Sequence, residues 1–143
     1  MSVVKAKTNS DRHTALAILR ASDFPNVPKD DQQALNVLAQ SDVYLVGDEP
    51  SAVVVFFDSN MGRMLDIACL PTSRGKWASR SVLRLIHQEL VESGVLRSIT
   101  GNFSAFEKMR GLCYEVEGQT SKGAIVLKIE EATFKEKWRF LNG

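Results

Sequence analysis

Between residues 43 and 70 the hydrophobic pattern changes period, and that change bounds the folds open to this chain. Upstream, apolar residues recur at helical spacing. Within the segment they fall into short β-branched and aromatic stretches parted by turns. Residues 43–46 read as a strand, Glu49-Pro50-Ser51 as a turn and residues 52–58 as a second strand. Asn60-Met61-Gly62 reads as another turn, and residues 63–70 as a third strand. Three short antiparallel strands in a meander are expected. Along the third, Met64, Asp66, Ala68 and Leu70 share one face, and Leu65, Ile67 and Cys69 the other. The longest apolar run, residues 52–57, is far short of the roughly 20 residues that cross a bilayer. No membrane partner is expected.

The flanks read as helix and strand in mixture. Residues 2–6 form a candidate strand. A helix is expected over 11–21 with Asn9 or Ser10 as its cap, on Ala15, Leu16, Ile18 and Leu19. Pro25 and Pro28 break it. A second helix is expected over 29–40, with Asp30 and Asp31 in a first turn where the dipole favours negative charge. After Pro71 comes a polar, basic segment, then a helix over 78–92 on Val82, Leu85, Ile86 and Leu90, closed by Gly94. Residues 95–100 read as a strand, 103–110 as a short helix, 112–116 and 124–130 as strands, and 117–123 as a turn. A tail helix over 132–141 would use Phe134, Trp138 and Leu141. The order predicts an α+β fold around a mixed sheet.

The length of 143 residues predicts one domain over 1–143. Residues 132–143, which mix large apolar and charged side chains, also suit docking to a partner or a second copy. The chain has 18 Lys+Arg against 17 Asp+Glu and is 44% hydrophobic, which excludes wholesale disorder and argues against bulk nucleic-acid binding. Cys69 and Cys113 form no CxxC pair, and His13 and His87 lack ligand spacing, so no metal site is expected. The N-terminus lacks a long apolar signal core, and a cytoplasmic location is the expectation.

The unit running from Leu65 through Pro71-Thr-Ser-Arg-Gly-Lys-Trp-Ala-Ser79 to Leu83 is strand, basic loop, helix. A helix start offers free backbone N–H groups and the positive end of its dipole. Arg74, Lys76, Arg80 and Arg84 add formal charge, and a phosphate would be stabilised there. A solvated basic helix start accounts for the same residues equally well.

The order of elements resembles the GNAT (Gcn5-related N-acetyltransferase) superfamily. Its signature strand ends in Val-x-Pro and leads through x-x-(Arg/Gln)-x-x-Gly-x-(Gly/Ala) into a long helix. Here Cys69-Leu70-Pro71 and Arg74-Gly75-Lys76 stand at those places. Ile99-Thr-Gly-Asn102 and Phe106-Glu-Lys-Met-Arg-Gly111-Leu-Cys-Tyr114 resemble the second landmark, an Asn after the next strand followed by a short helix and a glycine. The motifs Gly101-Asn-Phe-Ser104 and Phe106 to Tyr114 also resemble small GNAT-like proteins of T7-like bacteriophages.

The resemblance implies a mostly antiparallel sheet flanked by helices, and acetyl-CoA as donor to an amine acceptor. It implies that the backbones of Cys69 and Leu70 pair with the pantetheine arm. Arg74, Gly75, Lys76, Trp77, Ala78 and Ser79 would hold the pyrophosphate, with Asn102 near the cofactor. An attacking amine must lose a proton, and Asp66 is the carboxylate placed to take it, with Glu107 as alternative. Two departures stand out. Trp77 occupies a place where the family carries a small residue, and its indole either fills the phosphate space or stacks on adenine. Phe106 or Glu107 falls near the place of the family's general-acid Tyr. The chain is thus expected to be an acetyl-CoA-dependent N-acetyltransferase. The alternative is a non-catalytic GNAT-like assembly protein, as in a phage virion, with protein partners.

Overall fold

A computed structural model describes residues 2–22, 27–73, 77–100 and 114–139. The change of period at residue 43 is the start of the expected meander: β2 (Asp42–Val46), β3 (Ala52–Ser59) and β4 (Gly62–Cys69), after a short β1 (Val3–Lys5). β1 and β2 are antiparallel, with Val3 opposite Val46 and Lys5 opposite Tyr44. β2 and β3 are antiparallel from Asp42 opposite Phe56 to Val46 opposite Ala52. By their contacts the residues fall into two compact units, Met1–Asp58 with Leu65–Val82, and Ser59–Met64 with Leu83–Gly143.

In the first unit, alternate strand residues meet two helices, α1 (Asn9–Ala21) and α2 (Asp31–Ala39). Val43, Leu45, Val53, Val55 and Ala68 form one apolar cluster with Ala15, Leu16, Ile18, Leu19, Ala34 and Leu38. Phe57 and Leu70 pack against its margin. The residues between, Val46, Ala52, Val54 and Phe56, are buried as well, so β3 is covered on both faces.

The helix starts differ from expectation for a local reason. Thr8, one residue before Asn9, caps α1: its hydroxyl accepts from the Asp11 N–H at 3.1 Å. The Asp11 carboxylate accepts in return from the N–H of Lys7 and Thr8. The spacing Thr8-x-x-Asp11 makes this reciprocal pair, which neither Asn9 nor Ser10 can. The Lys7 N–H bond, with those of Thr8, holds the Asp11 carboxyl below the usual carboxylate range. Asp30 is the cap of α2 rather than part of its first turn, and accepts from the Gln33 N–H at 2.9 Å. Arg20 ties the two helices, donating to the carbonyls of Pro28 and Lys29 and to the Asp31 carboxylate.

The second unit is built on β5 (Val95–Thr100), β6 (Glu115–Gln119) and β7 (Ile125–Glu130), with most of α3 (Arg80–Ser93) and all of α4 (Glu131–Lys137). β7 is antiparallel to β5 from Val95–Glu130 to Thr100–Ile125, and antiparallel to β6 on its other edge. β6 lies later than the expected 112–116. The ladder slips between Val116 and Gly118, and that irregularity carries the strand through glycine to Gln119. α3 ends where Gly94 takes a left-handed φ of 77°, closed to most side chains, and its N–H donates to the Leu90 carbonyl. Arg97 clamps this unit: it forks onto Glu117 at 2.7 and 3.2 Å and donates to the Met61 carbonyl at 3.0 Å.

The strand order is β1-β2-β3-β4-β5-β7-β6. β4 and β5 run parallel, with Met64 opposite Arg97, and the sheet is otherwise mostly antiparallel. The fold is α+β, as expected. The tail helix starts one residue early and ends at Lys137. Its Phe134 is fully buried and Trp138 packs on it at 6.3 Å, so Phe134 belongs to the core. Phe140 and Leu141, and the short helix expected over 103–110, lie outside the described residues. Among the described residues no helix is long and apolar enough to cross a membrane.

Phe134→Ala is expected to cost about 3 kcal/mol or more, against about 1 kcal/mol for Thr8→Ala. Denaturant midpoints of both variants check this ranking. Equal losses would contradict the core placement of Phe134.

Candidate functional site

The end of β4 and the start of α3 lie in one unit, joined by a single helical turn at Pro71–Ser73 and the residues after it. Proline at position 71 sets φ for that turn and ends the ladder. The turn is closed by the Ser73 N–H donating to the Leu70 carbonyl at 2.9 Å. The Leu70 N–H in turn donates to the Ser51 carbonyl of the neighbouring strand at 2.8 Å. Both main-chain groups of Leu70 are therefore committed to the protein itself.

Successive residues of a strand present their N–H and C=O to opposite edges. With Leu70 turned toward β3, the main chain of Cys69 is turned away from it. Of the two residues expected to serve an extended ligand, Leu70 has its N–H and its C=O bonded within the protein. Ser51, read from sequence as part of a turn, is the residue that decides this. Its signal was available: the hairpin turn is Asn60-Met61 alone, and counting outward from it sets Leu70 opposite Ser51. A turn read over residues 60–62 loses that register.

Side chains alternate too. Ala68 and Leu70 belong to the cluster shared with α1 and α2, so Asp66 points to the same face, where Val53, Val55 and Phe57 lie. Its side chain is half-buried. Burial penalises the charged form there and pushes the carboxyl up to about 6. Asp66 is thus an acid held in largely apolar surroundings. Cys69, on the opposite face, is a half-buried free thiol.

At the helix, Ser79 is the cap rather than part of α3: its hydroxyl accepts from the Val82 N–H at 3.4 Å. The expected start at residue 78 moves to Arg80 for that reason. A tight turn precedes it, the Ser79 N–H donating to the Trp77 carbonyl at 2.8 Å. Capping uses the N–H of Val82 in the first turn of α3, where the helix dipole has its positive end. Trp77 is half-buried, Ala78 is exposed, and Arg80 and Arg84 are exposed on the helix. The structure thus gathers Asp66, Cys69, Leu70, Trp77, Ala78 and Ser79 in one unit. Arg74, Gly75, Lys76, Asn102 and Glu107 lie outside the described residues. Among the described residues no group of three or more His, Cys, Asp or Glu could hold a metal ion.

No family model and no curated protein matches the sequence. Solved structures do match. An N-acetyltransferase from Staphylococcus aureus Mu50 superposes with a TM-score of 0.67 at 10% identity, over 92% of this chain and 99% of that one. The ribosomal-protein-S18-alanine N-acetyltransferase of Escherichia coli gives 0.61 at 16% identity, over 90% and 92%. A GNAT-superfamily phosphinothricin acetyltransferase from Sinorhizobium meliloti, in complex with acetyl-CoA, gives 0.66 at 14% identity, over 90% and 87%. The chain has the GNAT fold. At these identities the likeness to the GNAT enzymes is one of architecture, and the residues of the site must be judged by their own geometry.

A carboxyl raised from 3.8 to about 6 on folding costs stability. The penalty is absent below pH 3.8, grows between 3.8 and 6, and is complete above 6. Asp66→Asn is therefore expected to match the parent near pH 3.5 and to exceed it above pH 7 by up to about 3 kcal/mol. Denaturant unfolding across that range checks it; a difference independent of pH would contradict the buried carboxyl.

Proposed function

We propose that the chain is an N-acyltransferase that takes acetyl-CoA as donor and an amine as acceptor. The observation that carries the reading is the joining of a main-chain edge at Cys69, turned away from β3, to the capped start of α3 within one unit of a GNAT fold. The residues fit such a donor at both ends. Cys69 offers one N–H and one C=O to an extended amide-bearing arm, as an added strand would use them. The first turn of α3, at the positive end of that helix's dipole, suits a pyrophosphate, and Arg74 and Lys76 are assigned to the same anion. Acetyl-CoA supplies an activated acyl group on a thioester.

Asp66 is proposed as the base. A group raised to about 6 is ionised at neutral pH yet holds a proton better than an ordinary Asp. It takes the proton of the acceptor ammonium, directly or through water, and the neutral amine becomes the nucleophile. Glu107 is the alternative base and Asn102 a cofactor contact, both on the strength of their sequence positions. Trp77 either stacks on the adenine or crowds the phosphates. The competing reading, a GNAT-fold assembly protein without chemistry, rests on Trp77 and on Phe106 near the tyrosine's usual place. Its phage version rests on the sequence motifs within residues 101–114.

Calorimetric titration with acetyl-CoA is expected to show saturable binding below millimolar concentration. Absence of binding at millimolar donor removes the enzyme reading. Trp77→Gly weakens binding if the indole stacks and strengthens it if it blocks. In a thiol-release assay with a panel of amines, turnover is expected to rise with pH through about 6, and Asp66→Asn to lower kcat by about 10²-fold or more. Unchanged kcat in that variant would transfer the role to Glu107.

A further inference from the structure

What surrounds Asp66 bears on the kind of amine that reaches it. The side chain is half-buried, and among the described residues its carboxylate has neither a hydrogen-bond donor nor a cation as partner. Counting outward from the Asn60-Met61 turn sets Val55 of β3 opposite Asp66. Phe57 is the next residue on that face toward the turn, and Val53 the next away from it. Along its own strand, Ala68 and then Leu70 follow Asp66 on the same face. Val53, Val55 and Ala68 are buried, while Phe57 and Leu70 are half-buried at the margin of the cluster. The carboxylate is an isolated anion in a hydrocarbon surface, and that surface stays partly open at Phe57 and Leu70.

We propose that the acceptor is a primary amine carried on an apolar body, an alkyl or aryl group, with no second charge near the amino group. The proposal rests on the N-acyltransferase reading and specifies its substrate class.

Charge and surface select such a molecule together. One carboxylate matches one ammonium. Cross-strand neighbours stand about 5 Å from Asp66 and diagonal ones about 7 Å, so the first carbons of a bound amine meet Val55, Ala68 and Phe57. A carboxylate on the carbon beside the amine, as in a free amino acid, would face Asp66 at like charge with no cation to offset it. A second ammonium close to the first, as in a short diamine, would lose water against hydrocarbon with no second anion to meet among the described residues. Asp58, next to Phe57 in sequence, points to the other face of β3. Asp42 and Asp31 are engaged by Lys5 and Arg20. Hydrocarbon, in contrast, gains affinity with each carbon covered, by about threefold per methylene on a half-open surface.

The test pairs amines of equal shape and different charge: butylamine against 1,3-diaminopropane, and phenethylamine against phenylalanine. In the thiol-release assay with acetyl-CoA, kcat/KM is expected to rise about threefold per methylene from propylamine to hexylamine. Butylamine is expected to exceed 1,3-diaminopropane, and phenethylamine to exceed phenylalanine, by about tenfold or more. Methyl NMR of Val55 and Leu70, with and without coenzyme A, reads binding of the same amines apart from turnover. Those methyls are expected to shift with butylamine and phenethylamine at lower concentration than with their charged counterparts. Equal or better use or binding of 1,3-diaminopropane or phenylalanine overturns the proposal, and so does a panel in which no amine moves those methyls. Calorimetry with acetyl-CoA follows the donor separately: if no donor binds, the N-acyltransferase reading falls, while the NMR series still decides the class of amine. Phe57→Glu sets a second carboxylate on the face and, where the variant folds, is expected to reverse the preference for butylamine over 1,3-diaminopropane. An unchanged preference in the folded variant contradicts the placement of the amine beside Phe57.

Discussion

One backbone hydrogen bond fixes what the proposed site can be. The Leu70 N–H donates to the Ser51 carbonyl, and with that bond the register of the end of β4 is set. Alternation then assigns everything else on the strand. Ala68, Leu70 and with them Asp66 face the cluster under α1 and α2. Cys69 presents its main chain to the edge away from β3. Pro71 ends the ladder one residue later and the chain turns toward α3. A slip of one residue would exchange these roles, burying the backbone edge and moving Asp66 off its apolar face.

The same strand shows how burial and chemistry compete. Asp66 sits where an apolar residue would serve the fold better, and burial resists its charge. Such a cost is tolerated at sites where a proton must be held and released near neutral pH. Trp77 poses the opposite question. It stands at the mouth of a helix start, where bulk works against an anion but an aromatic face can meet a base. The strand and helix ends thus carry the same residues under either the catalytic or the binding reading, and only ligand contact separates the two.

Most of the architecture was legible in the sequence. The change from helical to strand period at residue 43 and the breaks at Pro28 and Pro71 are local, strong signals, and the elements they delimit are present. What was not legible were facts of pairing. Thr8 became a cap because Asp11 answers it, Ser79 because Val82 needs a partner. β6 moved downstream because β7 holds a strand through Gly118, which alone reads as a turn. The burial of Phe134 agrees with its place on the apolar face expected of the tail helix. The desolvation of Asp66 depended on the side-chain face it shares with Ala68, whose neighbours come from distant parts of the chain.

The central claim is that the Cys69 edge of β4, and not Leu70, meets an acyl-CoA donor. Amide hydrogen exchange with and without saturating coenzyme A tests it residue by residue. The account predicts that Leu70, already bonded to Ser51, exchanges slowly in both states, while Cys69 is slowed markedly by the ligand. Unchanged exchange at Cys69 in a protein saturated with coenzyme A would contradict it.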